Sequence, residues 1–245
     1  MVYNIVTGRD KSDKEKFGNE GLIYLGKGYV KMGNYTSLSN NIYMDIARTH
    51  VMLVAGKRGS GKSYTLSVIA EELSNLPPET SKNIASIIYD TMGIFWTMKF
   101  KNEKEKGLLN EWNLKPKKIP VKIFVPYGKI EEYRSKSIPF DKPLALKASE
   151  LQAEDWISVF NIPFISEESI LIQKSLGKLK DKDFSIEDIL EEINHQHNVS
   201  QQIKNTASAL FEAADSWGIF AKKSEKNPTE ISNLAEGGKI GRAHV

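Results

Sequence analysis

Cysteine is absent from this chain. That excludes disulfides, cysteine-ligated zinc and iron–sulfur clusters, and it is compatible with a reducing compartment. Nowhere does an apolar run approach the roughly 18 residues of a membrane-spanning helix. The opening residues MVYNIVTGRDK also lack the apolar stretch of a signal peptide. The reading is therefore a cytoplasmic protein with no membrane partner. A strong charge of either sign is missing too. The formal net charge is only +3 over 245 residues, too little by itself to argue for nucleic acid or an acidic surface. What remains is an ordinary mixture, 40% hydrophobic and 27% charged, which suits a globular fold with a real core.

Residues 1–20 are polar and read as loosely ordered. GLIYLGKGYVKMG (21–33) mixes aromatic and β-branched residues with glycines and predicts a short hairpin. The apolar run from Val51 to Ala55 ends in glycine and predicts a buried parallel strand. Leu66, Ile69, Ala70 and Leu73 then recur at helical spacing, and NLPPET stops that helix. IASIIYD (84–90) and IPVKIFV (119–125) predict two further strands. Strand, helix, strand at these distances implies a right-handed βαβ crossover and an α/β fold.

From about residue 149 the pattern becomes helical. SELQ (149–152) has the form of a capping box, with Gln152 reaching back to Ser149, and SIED (185–188) has a second. Trp156, Val159 and Phe160 are expected on one face, as are Ile186, Ile189, Leu190 and Ile193. Ile203, Ala207, Leu210, Phe211, Ala214 and Trp217 form a third stripe. Such stripes read as helix-packing core.

Between the first strand and its helix lie Gly56, Lys57, Arg58, Gly59, Ser60, Gly61, Lys62 and Ser63, a full match to G-x-x-x-x-G-K-[ST]. Glycines allow successive backbone amides to turn toward an anion, and the following helix adds its positive end. The Lys62 ammonium would reach the β- and γ-phosphates, and the Ser63 hydroxyl would ligate Mg²⁺. Tyr64 follows directly and completes the candidate nucleotide-binding set. Asp90 and Gly93 in YDTMGIFW also fit the D-x-x-G of GTPases, but no N-K-x-D follows to read guanine. A small-molecule kinase would need an arginine-rich lid, and residues 149–217 contain no arginine.

RTHVMLVAGKRGSGKSYTLSVIAEEL, IIYDTMGIFWTMK, DSWGIF and LAEGGKI together resemble the HerA family of ATPases, in the HerA–FtsK group of DNA translocases. The resemblance spans most of residues 20–239. It implies a RecA-like P-loop core with a parallel sheet, a helical insertion and a small β-rich N-terminal segment. The corresponding divisions are 1–45 for the N-terminal segment, 46–148 for the first part of the core, 149–225 for the insertion and 226–239 for the return to the core. It further implies ATP and Mg²⁺ as cofactors, a homo-hexameric ring, double-stranded DNA as substrate and a partner nuclease in DNA end processing. Residue Asp90 matches the aspartate ending the family's second core strand, which is not the catalytic acid. Where many members continue D-P-x-G-E, this chain has Thr91, Met92 and Ile94. The strand ending in Asp-Glu and the arginine finger fall beyond the matching positions, so the core is expected to be truncated. The final IGRAHV (240–245) matches one reading frame of a common sequencing adapter and is expected to be non-native. A different class of function keeps the same phosphate loop: a nucleotide-gated module in a defence or secretion assembly, with no DNA motor.

Two weaker signals remain. Residues 99–122 hold eight lysines against three glutamates beside Trp112. They read as a solvated loop, with DNA phosphates as the alternative. His195 and His197 are spaced so that they would not face one metal ion from a helix, and read as a polar cap.

Overall fold

The structure is a computed structural model that describes residues 3–180, 182–225, 227–234 and 240–243. Its elements in chain order begin with β1 (Ile5–Thr7), α1 (Lys11–Phe17), β2 (Leu22–Met32), β3 (Tyr35–Asp45), α2 (Lys62–Ser74) and α3 (Pro78–Ser81). Next come β4 (Ser86–Tyr89), a 3₁₀ turn at Phe95–Lys99, α4 (Lys106–Glu111), β5 (Val121–Pro126), α5 (Ile130–Ser135) and β6 (Lys142–Leu144). The series closes with α6 (Ala153–Val159), α7 (Glu167–Leu179), α8 (Ile186–His195), α9 (Gln201–Ser216), α10 (Ile231–Leu234) and β7 (Ile240–Ala243). The chain divides into two compact units, the first formed by 1–86, 97–121 and 237–240, the second by 87–96, 122–236 and 241–245.

In the first unit, β1, β3 and β2 form a three-stranded sheet in that order, β1 parallel and β2 antiparallel to β3. Residues 21–33 are thus not a hairpin by themselves. They are one long strand whose partner is 35–45, with Leu22 opposite Asp45 and Met32 opposite Tyr35. Gly26 and Gly28 mark shifts of register. There the glycines admit an extra residue as a bulge and do not turn the chain. A side chain at Gly28 would come within 2.6 Å of Ser39 Oγ. The turn itself uses Gly33, at φ +58°. Helix α2 packs against β2. Burial near that contact raises the Tyr24 hydroxyl above its usual range, with Tyr43 and Glu72 adding to the effect.

The expectation of disorder before residue 20 is corrected. Asp10 caps α1 by accepting from the Asp13 amide at 2.8 Å. The Arg9 guanidinium is almost fully buried and donates to Gly18 O, Glu20 O and Asp45. Polar composition hid this because the anchoring side chain is itself charged.

In the second unit, β4, β7, β5 and β6 form a four-stranded sheet in that order, with β5 and β6 parallel. The chain is therefore a mixed α/β protein with parallel strands. Helices α6 to α9 enclose a core of Trp156, Leu171, Ile172, Ile189, Ile193 and Phe211, all essentially inaccessible to solvent. Trp156 lies 5.0 Å from both Phe211 and Phe220 between ring centroids. Ser185 and Asp188 form the expected capping box of α8. The other box is displaced. Residues 148–150 are a 3₁₀ turn, and α6 begins three residues later, capped by Gln152 and Asp155. Val159 and Trp217 leave their predicted stripes and are exposed. Helix α6 ends at Val159 and α9 at Ser216, so neither residue has a following turn to press it inward.

Candidate nucleotide-binding loop

The apolar run Val51–Ala55 is not a strand. Val51 and Leu53 are fully or nearly fully exposed, and among the described residues nothing pairs with this segment. A continuous apolar run becomes a buried parallel strand only when neighbours hydrogen-bond to both edges and helices cover both faces. Here α2 packs on β2. Within that helix Ala70 is buried and Leu66 is exposed.

The loop that follows is built as its sequence demands. Gly59 and Gly61 hold φ of +78° and +89°, values that residues with a β-carbon seldom adopt. The Ser60 amide donates to Lys57 O at 3.1 Å and closes a tight turn. A β-carbon at Gly56 would meet the Ser60 side chain, which would have to rotate away. Gly61 is the N-cap of α2 and provides no side-chain cap. Helices α7, α8 and α9, by contrast, are capped by Ser166, Ser185 and Ser200. The first amides of α2 are thus left for another acceptor. A left-handed residue directly before a right-handed helix is the backbone pattern of an anion nest.

Lys62 opens the helix and folds back over this turn. Its ammonium donates to Gly56 O and Lys57 O, both at 2.9 Å. Ser63 and Tyr64 lie exposed on the first turn, as do Lys57 and Arg58 on the loop. The structure therefore gathers the sequence-identified residues 56–64 into one exposed loop and helix start. A glycine turn, an uncapped helix N-terminus and a folded-back ammonium together suit a polyphosphate, and the neighbouring serine hydroxyl suits its Mg²⁺.

Asp90 belongs to the second unit and has a local task. It is buried, and its Oδ2 accepts from the Phe95 amide at 2.9 Å, which starts the 3₁₀ turn. Gly93, at φ +65°, donates back to Asp90 O. His195 and His197 are exposed at the end of α8. No group of three potential metal-ligating side chains occurs among the described residues.

Sequence reasoning missed a second cluster, just ahead of the loop. Asp45 ends β3 with its carboxylate buried. It accepts from Arg9, from His50 Nε2 at 2.7 Å, and from the Ala47 and Arg48 amides at 3.3 and 3.2 Å. His50 lies against Gly8, where an added β-carbon would sit 3.0 Å from the ring. The only signal in the sequence was a lone aspartate closing an alternating strand.

Among known families, the model of the Helicase HerA central domain matches residues 30–242. The chain belongs to this family. A search of curated proteins finds no match. Membership in the HerA family makes the chain an ATPase-type domain that uses nucleotide, in agreement with the loop described above. Among the described residues no helix is long and apolar enough to cross a membrane.

Proposed function

We propose that this HerA-family chain binds Mg·ATP through residues 56–64 and serves as the motor domain of a homo-hexameric translocase on double-stranded DNA, working with a nuclease in end processing. The observation that carries the nucleotide reading is the Gly61-capped start of α2 with the Lys62 ammonium folded over the loop. Family membership supports the motor.

In this reading the uncapped amides at the start of α2 donate to the phosphate oxygens, and the helix end adds favourable charge. Lys62 leaves the carbonyls of Gly56 and Lys57 to neutralise the terminal phosphates. Ser63 offers its hydroxyl to Mg²⁺. Tyr64, exposed beside the loop, lines the nucleotide's approach. Hydrolysis of the bound ATP supplies the free energy for translocation.

Calorimetric titration with Mg·ATP tests the site. Lys62→Ala should weaken binding about tenfold or more, a loss of at least ~1.4 kcal/mol. Equal affinity in both proteins removes Lys62 from the site. For the motor, ATP turnover by the full-length protein should rise when duplex DNA is added. Turnover indifferent to DNA favours a nucleotide-gated module instead.

A further inference from the structure

The helical segment 149–217 differs in charge from the rest of the chain. It holds thirteen acidic residues against five lysines and no arginine, whereas the whole chain carries a net +3. From Ala148 to Gln173 there are five carboxylates and no lysine or arginine.

The join between α6 and α7 lies inside that acidic stretch. The Ser166 amide donates to Pro163 O at 3.1 Å, which closes a four-residue turn with Phe164 and Ile165 at its two central positions. Turns favour glycine, proline, asparagine, aspartate and serine. Here two large apolar side chains project into water instead, Phe164 at 53% exposure and Ile165 at 87%. Val159 at the end of α6 and Ile170 early in α7 are exposed as well. The turn is fastened to α7: Ser169 Oγ donates to Pro163 O at 2.7 Å, and the Gln173 amide donates to Phe164 O at 3.5 Å. The apolar side chains are thus displayed from a fixed backbone. Carboxylates border them, with Glu154 and Asp155 opening α6 and Glu167 and Glu168 opening α7. The next lysines along α7 are Lys174, which is exposed, and Lys178, which pairs with Glu192 at 2.9 Å.

An apolar centre within a charged rim is the build of a protein interface. Large exposed apolar side chains on a soluble domain mark such sites. The sign of the rim decides among occupants. Nucleic acid and anionic lipid are repelled by it. The lysine-rich segment 99–122 of another copy is no complement, because Glu103, Glu105 and Glu111 lie exposed among its lysines. A cationic amphipathic helix does fit. Its apolar stripe would cover Phe164 and Ile165, and the lysines or arginines on either side of the stripe would face the carboxylates.

We propose that the α6–α7 junction is a docking surface for a basic amphipathic helix of another protein. The junction belongs to the second unit and the nucleotide loop to the first. The test reads peptide and not nucleotide, so the inference stands or falls independently of the ATP site.

The test is fluorescence anisotropy of labelled peptides titrated with the full chain. The probe is a short peptide of leucine and lysine at helical spacing. One control carries glutamate in place of lysine, and a second permutes the same residues so that no apolar stripe forms. The lysine peptide should bind at least about tenfold more tightly than either control. Phe164→Ser with Ile165→Ser should weaken that binding about tenfold or more at low and at high salt. Glu167→Gln with Glu168→Gln should weaken it chiefly at low salt, about 50 mM, where screening is slight. Circular dichroism confirms that these substitutions leave the fold intact. A chain that does not bind the lysine peptide overturns the proposal. So does binding that ignores the change at Phe164 and Ile165, or that either control peptide equals. Sedimentation, and flotation with phosphatidylserine vesicles, cover the other occupants. If the wild type self-associates or binds vesicles and the Phe164, Ile165 variant does not, the surface belongs to a second copy or to lipid, and the proposal is wrong.

Discussion

His50 Nε2 lies 2.7 Å from Asp45 Oδ2, on a carboxylate that Arg9 grips from the opposite side. Burial alone would raise the Asp45 carboxyl, but the hydrogen bonds from His50 and Arg9 outweigh it and hold the group below the usual carboxylate range. A carboxyl depressed on folding adds stability at every pH above its unfolded value, about 3.9, and that stability is lost as pH falls through the folded value. Thermal melts of the wild type should therefore drop steeply on acidification below about pH 4. Asp45→Asn should melt lower at neutral pH and show a flatter acid limb. Parallel acid limbs would mean that Asp45 contributes nothing through its charge.

Arg9 tests the same node from the other partner. Its side chain and that of Asp45 are both almost wholly buried. Removing one member of such a pair strands the other charge, at a cost of about 3–5 kcal/mol. Arg9→Met keeps the length and loses the charge. Urea denaturation should show a midpoint shift of that size, and a shift below about 1 kcal/mol would place Arg9 among ordinary surface cations.

Gly61 carries the left-handed turn at the mouth of α2. Alanine there costs about 1–2 kcal/mol of backbone strain. Gly61→Ala should lower both the urea midpoint and the affinity for Mg·ATP. If both are unchanged, the loop tolerates a β-carbon and its glycine is incidental.

Ser63→Ala leaves the backbone of the loop intact and removes the hydroxyl expected on the metal. Nucleotide binding should become much less sensitive to Mg²⁺ in a calorimetric series with and without the ion. An unaltered Mg²⁺ dependence assigns the metal to another group.

Trp156 probes the helical core. Its ring is fully buried, yet among the described residues its indole N–H has no hydrogen-bond partner. Trp156→Ala should cost about 3–5 kcal/mol by opening a cavity. Trp156→Phe should cost clearly less, because it fills much of the space and deletes the unsatisfied donor. Equal costs for the two would show that the N–H is satisfied in solution.

The tight glycine turn and helix start at residues 56–64 were legible because every part of them is local. Their glycines, lysine and serine lie within eight residues, and their conformational needs do not depend on distant partners. The same holds for Ser185 and Asp188, three residues apart. The α6 box was misplaced because Ser149 and Gln152 fit the usual S-x-x-Q pattern, whereas the box that forms uses Gln152 and Asp155, residue types that pattern does not name. Val51–Ala55 misled for the opposite reason: its composition describes a strand, but a strand is a relation to neighbours that one segment cannot encode. Arg9 and Asp45 lie thirty-six residues apart in sequence, as their hydrogen bond records. No spacing rule joins them, so the first twenty residues looked idle.

Lys62 holds the carbonyls of Gly56 and Lys57 by hydrogen bonds of ordinary length. The site thus contains its own competitor, tethered and present at high effective concentration. An incoming anion gains only the difference between its own attraction for the ammonium and that of two carbonyl dipoles. For a singly charged oxyanion that difference is small, whereas a triphosphate brings several negative charges to the same point. On the proposed reading, the folded-back lysine sets a threshold that favours a triphosphate over a singly charged anion before any contact with base or sugar.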